Sequence, residues 1–371
     1  MNSNYLATIL LSFLLCGSVY SQTKFQRVVS VHYENGPLLS NGTEWGDEIK
    51  NAIEYKALDF RLGWRKISGR TYDVIYRYPT FGLGLNFTIP YFEEIGQPYA
   101  VYGYMDIPLS IKRLHKPLQF AYFTQFGVGF NLKPYDPDNN PVNQYIGSKV
   151  NAFVHLGFQA NYRISPRMNL ESSIGLKHFS NGASKKPNSG INLIPLSIGV
   201  KYRLGDLQEV PVRTSEITHK GRKDFWNFMV YTGVKNYDIG LPTYFRGGLG
   251  VNYLIEPGYK YRLGLGLDLF YAQGLYSRHP ELPQTFRNQT SLAVVGSWEW
   301  QLTERLYVPI GLGAYLYRNE HNQEITWFYE RIGVRYRFDN QLFAGMQIKA
   351  HKAKADFFEF TLGYTLEHKR R

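Results

Sequence analysis

The residues best suited to chemistry lie in one stretch, IGLKHFSNGASKKPNSGINLIPLSIGVKYRL, over positions 174–204. His178 and Ser180 are two residues apart, and in an extended strand such residues project side by side from one face. An imidazole placed there can take the proton of the hydroxyl and turn the serine into a nucleophile. Asn192 returns on the next segment with the same parity, where its amide can orient the ring. Serine as nucleophile, histidine as base and asparagine as orienter make a coherent hydrolase set. The same side chains also read as a polar cluster closing the loop 181–190, and residue type alone leaves both readings open.

That chemistry requires 174–204 to be a pair of strands, and the rest of the chain supports this. Phe81-Gly82-Leu83-Gly84-Leu85-Asn86-Phe87 alternates apolar with small or polar residues, as do 126–132, 261–271, 306–316 and 358–366. Helices cannot hold this period; strands do. The segments run to about 10–14 residues, longer than the ~5–6 of soluble sheets and matched to the ~9–11 of a tilted spanning strand. Aromatic residues collect near segment ends, as at Tyr76 and Tyr78, Tyr99 to Tyr104, Tyr259 to Tyr261 and Tyr315 to Tyr317. Short turns alternate with long loops. The expected fold is therefore all-β, a transmembrane antiparallel β-barrel of about 14–16 strands in a bacterial outer membrane.

Sixteen segments can be placed: 26–34, 54–64, 74–87, 99–111, 118–131, 149–164, 167–180, 191–204, 224–236, 242–255, 258–272, 289–301, 304–317, 326–338, 341–350 and 354–367. The first is the weakest, and fourteen is the alternative. The polar stretch 205–223 could divide the chain into two halves. One continuous ring over 22–371 is preferred, since two small rings in one chain would be rare. A ring of that size is wide enough for a water channel. The Gly-x-Gly repeats sit inside strands with no helix following, so they are not phosphate loops; they make room for side chains from opposite walls.

Parity also sorts the candidates. Ile174, Leu176, His178 and Ser180 share the lipid-facing side, where a polar pair is costly unless it is functional or lies at headgroup level. His155 and Glu171 fall on the lumen side and are set aside. Residues 1–21, with the apolar run YLATILLSFLLCGSVY, read as a secretory signal; Leu15 before Cys16 argues against a lipidation site. That cysteine is the only one, so no disulfide is expected in the mature chain. Charged residues are 19% and aromatic residues 16% of the sequence, which excludes a disordered chain. The net charge of +12 is spread over loops and strand ends, and fits an anionic lipopolysaccharide better than nucleic acid.

The run HFSNGASKKPNSGIN resembles the His-x-Ser-Asn motif of the outer-membrane lipid A 3-O-deacylases (PagL type). YPTFGLGLNF and IGSKVNAFVHLGFQANYRI are similar to the longer members described as acyloxyacyl hydrolases. The resemblance covers about residues 54–205 and, more loosely, the C-terminal strands through ADFFEFTLGY. It implies that Ser180 attacks an ester of a lipid A acyl chain, that His178 takes its proton and that Asn181 helps bind the oxyanion. One departure stands out: the family has a Glu about a dozen residues after the Ser, and Asn192 occupies that place here. Asparagine orients a neutral imidazole but stabilises imidazolium less than a carboxylate does. Lys185 and Lys186 either pair with lipid A phosphates or form a solvated basic loop. No metal or organic cofactor is expected. The competing reading is a non-enzymatic barrel, a porin or a structural protein.

Overall fold

The computed structural model describes residues 25–207, 210 and 223–369. The expected signal segment 1–21 lies outside these, as does most of the polar stretch 205–223. The alternating segments are strands, close to their expected bounds. They are β1 (Phe25–Pro37), β2 (Glu54–Lys66), β3 (Thr80–Thr88), β4 (Gly96–Pro108), β5 (Leu118–Leu132), β6 (Asn151–Arg163), β7 (Met168–Ser180), β8 (Ile191–Leu193) and β9 (Leu196–Leu204). After the linker come β10 (Lys223–Asn236), β11 (Thr243–Glu256), β12 (Tyr261–Ala272), β13 (Thr290–Gln301), β14 (Leu306–Tyr317), β15 (Phe328–Arg337), β16 (Leu342–His351) and β17 (Lys354–Lys369).

These strands make two rings, not the single continuous one expected. β9 pairs with both β7 and β1, which closes the first ring on itself. β10 to β17 close a second barrel. Alternation is the same whether a strand's free edge meets the next strand in sequence or an earlier one, so parity could not reveal where the sheet closes. The segment 191–204 is likewise one strand interrupted. Pro195 has no N–H to donate, so the pairing with β7 breaks there into β8 and β9. A Cβ on Gly36 of β1 would lie 2.2 Å from the Ile194 carbonyl oxygen.

A second correction concerns Tyr76 and Tyr78, expected as girdle residues at the start of a strand. Residues Thr71–Ile75 form a short helix, α2, which follows α1 (Glu44–Ala52) in the chain, and β3 begins only at Thr80. Asp73 organises this turn by accepting from Ser68 and from the Arg70 amide. Tyr78 ends up fully buried.

Both rings are packed solid. In the first, Lys177 reaches Glu34 and Tyr55, while Tyr102 and Arg61 both hold Asp59 at 2.6 Å. His32 bonds Glu171 at 2.9 Å. In the second, Arg331 bridges Asp268 and Glu359 at 2.8 and 2.7 Å. Buried charges occur here because each is paired. Gly82 and Gly84 point inward, and a Cβ on either would strike Tyr104 or Tyr102, as their role as spacers requires. A polar cavity at the short-turn mouth of the first ring measures only about 50 Å³. The outward residues of both rings are apolar, as Leu83, Phe158, Leu249, Leu265 and Leu312 illustrate. No described helix is long and apolar enough to cross a membrane.

Candidate functional site

β7 presents the candidate residues, and its alternation holds to the last residue. Lys177 and Phe179 point into the ring, fully buried. Ile174 and Leu176, 53% and 49% exposed, point out, and His178 and Ser180 continue their parity. The strand is anchored from within at the level of the site, because Lys177 is tied to Glu34 and Tyr55 while Phe179 packs on Phe153.

The register places His178 directly opposite Asn192 on β8. The imidazole Nδ1 and the Asn192 Oδ1 are 2.7 Å apart. An amide oxygen only accepts, so Nδ1 carries the proton and Nε2 keeps its lone pair. The asparagine thereby selects the tautomer that a general base needs. Gly190 closes over the ring. It has φ of +76°, and a Cβ there would stand 2.5 Å from His178 Cε1, so glycine is required twice over.

Ser180 is only 6% exposed. Among the described residues its hydroxyl makes no hydrogen bond, to His178 or to any other group. Asn181 is placed differently from what the resemblance implies. Its amide donates to Ser148 Oγ at 3.0 Å and to the Lys185 carbonyl at 2.8 Å. Its backbone N–H donates to Asn188 Oδ1 at 3.0 Å. Asn181 therefore braces the loop, with both amide hydrogens spent. The next two residues, Gly182 and Ala183, take φ of +59° and +61°. Among the described residues their N–H groups have no acceptor.

The two lysines diverge. Lys185 is exposed. Lys186 is half-buried near Asp238 and Asp356, and burial lowers its pKa against the pull of those two carboxylates. Glu171 and His155 lie inside the first ring, as their parity requires: Glu171 with His32 and Lys201, His155 against Gln125. Among the described residues no group of His, Cys, Asp or Glu is arranged to hold a metal.

Sequence reasoning missed two kinds of residue. Asn188 and Ser148 hold Asn181, and Asn188 lies within the motif run itself. The others come from the second ring. The Asn236 backbone N–H donates to the Ala183 carbonyl at 2.8 Å, and the Lys186 N–H donates to Asn236 Oδ1 at 3.0 Å. The Thr243 hydroxyl donates to the Ser184 carbonyl at 3.0 Å. Phe358 lies so close to Gly182 that a Cβ would fall 2.2 Å from its ring. Nothing in the sequence pairs these residues with the motif.

Two family models match the chain. Residues 58–201 match the lipid A 3-O-deacylase (PagL) model, and 224–369 match the acyloxyacyl hydrolase C-terminal domain. None of the curated proteins matches in sequence. Among solved structures, an outer membrane channel from Pseudomonas putida is 11% identical over 95% of this chain and 98% of its own, with a TM-score of 0.18. OccAB4 from Acinetobacter baumannii is 8% identical over 94% and 99%, with a TM-score of 0.25. The architecture rests on the strand pairing itself. The two family matches meet at the linker between the rings and together take in most of the chain, which belongs to the lipid A 3-O-deacylase and acyloxyacyl hydrolase family.

Proposed function

We propose that this protein is an outer-membrane esterase that removes an ester-linked acyl chain from lipid A by a serine–histidine mechanism. The observation that carries the reading is the 2.7 Å bond from His178 Nδ1 to Asn192 Oδ1, which leaves Nε2 unprotonated on the face shared with Ser180. Ser180 Oγ attacks the ester carbonyl and its proton passes to Nε2. The tetrahedral oxyanion is met by the unpaired N–H groups of Gly182 and Ala183, since the Asn181 amide is occupied. Collapse expels the sugar hydroxyl, protonated by the imidazolium. Water, activated by the same nitrogen, then releases the fatty acid.

The setting suits this substrate. The pair stands at the end of an apolar outer wall, the height at which an ester between sugar and acyl chain sits in a bilayer leaflet. Exposed Lys185 offers a cation for a phosphate of the headgroup. Asn192 orients the ring but offers the imidazolium no negative charge, so turnover is slower than a carboxylate would allow. The solid interiors of both rings argue against a water channel. The test is mass spectrometry of lipid A from cells producing the wild type or Ser180→Ala. The wild type should yield lipid A lighter by one acyl chain and the variant should not; identical spectra would sink the proposal.

A further inference from the structure

The residues assigned to the reaction all lie in the first ring, yet the loop that follows the nucleophile is held by the second. Four contacts converge on residues 182–186. Asn236, the last residue of β10, donates its backbone N–H to the Ala183 carbonyl and accepts the Lys186 N–H on its side chain. Thr243, the first residue of β11, donates to the Ser184 carbonyl. Phe358 on β17 packs against Gly182. Asn236 is itself fixed, because its amide donates to the Leu241 and Pro242 carbonyls at 2.6 and 3.2 Å. At the opposite, short-turn rim a second seam holds the rings together. Tyr72 donates to the Tyr259 carbonyl and Tyr76 to that of Gln301, beside Trp300 and Leu302.

We infer that Asn236, Thr243 and Phe358 are positioning residues for hydrolysis, so that the second ring is a clamp on the catalytic loop. Gly182 and Ala183 are left-handed in succession, a conformation with little intrinsic preference for Ala183; the Ser184 N–H closes this turn on the Asn181 carbonyl at 3.2 Å, and the contacts from the second ring add to that local restraint. The clamp acts on the carbonyls of Ala183 and Ser184 and on the Lys186 amide. It thereby sets the direction of the Gly182 and Ala183 N–H groups relative to the Ser180 hydroxyl. A displacement of about 1 Å at such donors costs on the order of 10²-fold in rate. The seam at the far rim keeps the second ring from pivoting away.

This inference rests on the esterase reading, and the experiment separates the two. Purified wild type, Ser180→Ala, Asn236→Ala, Asn236→Asp and Thr243→Val are assayed on lipid A, after each is shown by heat-modifiable electrophoretic mobility to be folded. Asn236→Ala and Thr243→Val should lower kcat about 10- to 100-fold, with KM within about twofold of wild type. Asn236→Asp, which keeps an acceptor for the Lys186 amide, should recover most of the loss. Wild-type kcat in both Asn236→Ala and Thr243→Val overturns the clamp and leaves the esterase standing. Asn236→Asp as slow as Asn236→Ala also overturns it, because the loss would then come from the bonds to Leu241 and Pro242. A wild type no faster than Ser180→Ala overturns both proposals.

Discussion

The two rings are built alike and differ in what their outer walls carry. Each closes with eight strands, and each is filled by tyrosines around paired charges, Lys177–Glu34 and Arg61–Asp59 in the first, Arg331–Asp268 and Lys235–Asp356 in the second. On β7 the outward parity ends in His178 and Ser180, with Asn192 across the register. On β10 the outward residues are Trp226, Phe228, Val230, Thr232 and Val234, and no histidine joins them. The same scaffold thus carries the candidate residues on β7 and an apolar outer face on β10. On the proposed reading the function belongs to a site grafted on the barrel rim, since a shared scaffold does not by itself carry a shared chemistry.

The comparison can be broken or sharpened by experiment. The largest effect should come from His178→Ala, which removes the base and should lower the hydrolysis rate by about 10⁴-fold or more. Thr232→Ala, an outward change on the second ring, should leave the rate unchanged. A comparable loss in both would mean that the site is not confined to the first ring. Next come the interiors. Lys177→Met and Arg331→Met each strand a buried carboxylate, at a cost of about 3–5 kcal/mol, to be read as a drop in the temperature at which the folded band disappears on gels. Lys177→Met should also slow hydrolysis per folded molecule, since it frees β7 next to His178, and Arg331→Met should not. Equal slowing by the two would show that the anchoring of β7 is not specific.

Installing the family's carboxylate is the third test. Asn192→Glu should raise kcat by roughly 10-fold or more by stabilising imidazolium. A slower variant would show that the 2.7 Å geometry to the shorter side chain is the feature that counts. The smallest effect is expected from Lys185→Ala. An exposed cation contributes about 1 kcal/mol or less, so KM should rise only a few-fold, and the difference should vanish in high salt. A salt-independent change would point to a structural role for the side chain.

Much of this was legible in the sequence. The strand bounds from β4 to β17 follow period two to within a few residues, because a wall with lipid on one side and a packed interior on the other leaves each position no choice of face. The Gly82 and Gly84 spacers and the lumen positions of His155 and Glu171 were readable for the same reason. The residues 71–78 were misread because a tyrosine beside an arginine looks the same at a bilayer rim as in a turn folded over a barrel mouth. The resemblance implies an oxyanion role for Asn181; its amide bonds Ser148 and Lys185, contacts that residue type does not announce.

Alternation by itself determined that the chain is built of strands and that His178, Ser180 and Asn192 share one parity; segment length, aromatic ends and uneven connections added the expectation of a membrane barrel. Side-chain parity is a local property of extended backbone and needs no partner to be read. Only the tertiary structure decided that β9 returns to β1, that two rings form in place of one, and that Asn236, Thr243 and Phe358 reach the loop after Ser180. Those outcomes depend on which free edges and rims meet in space, and strand pairing places no mark on the residues that precede it.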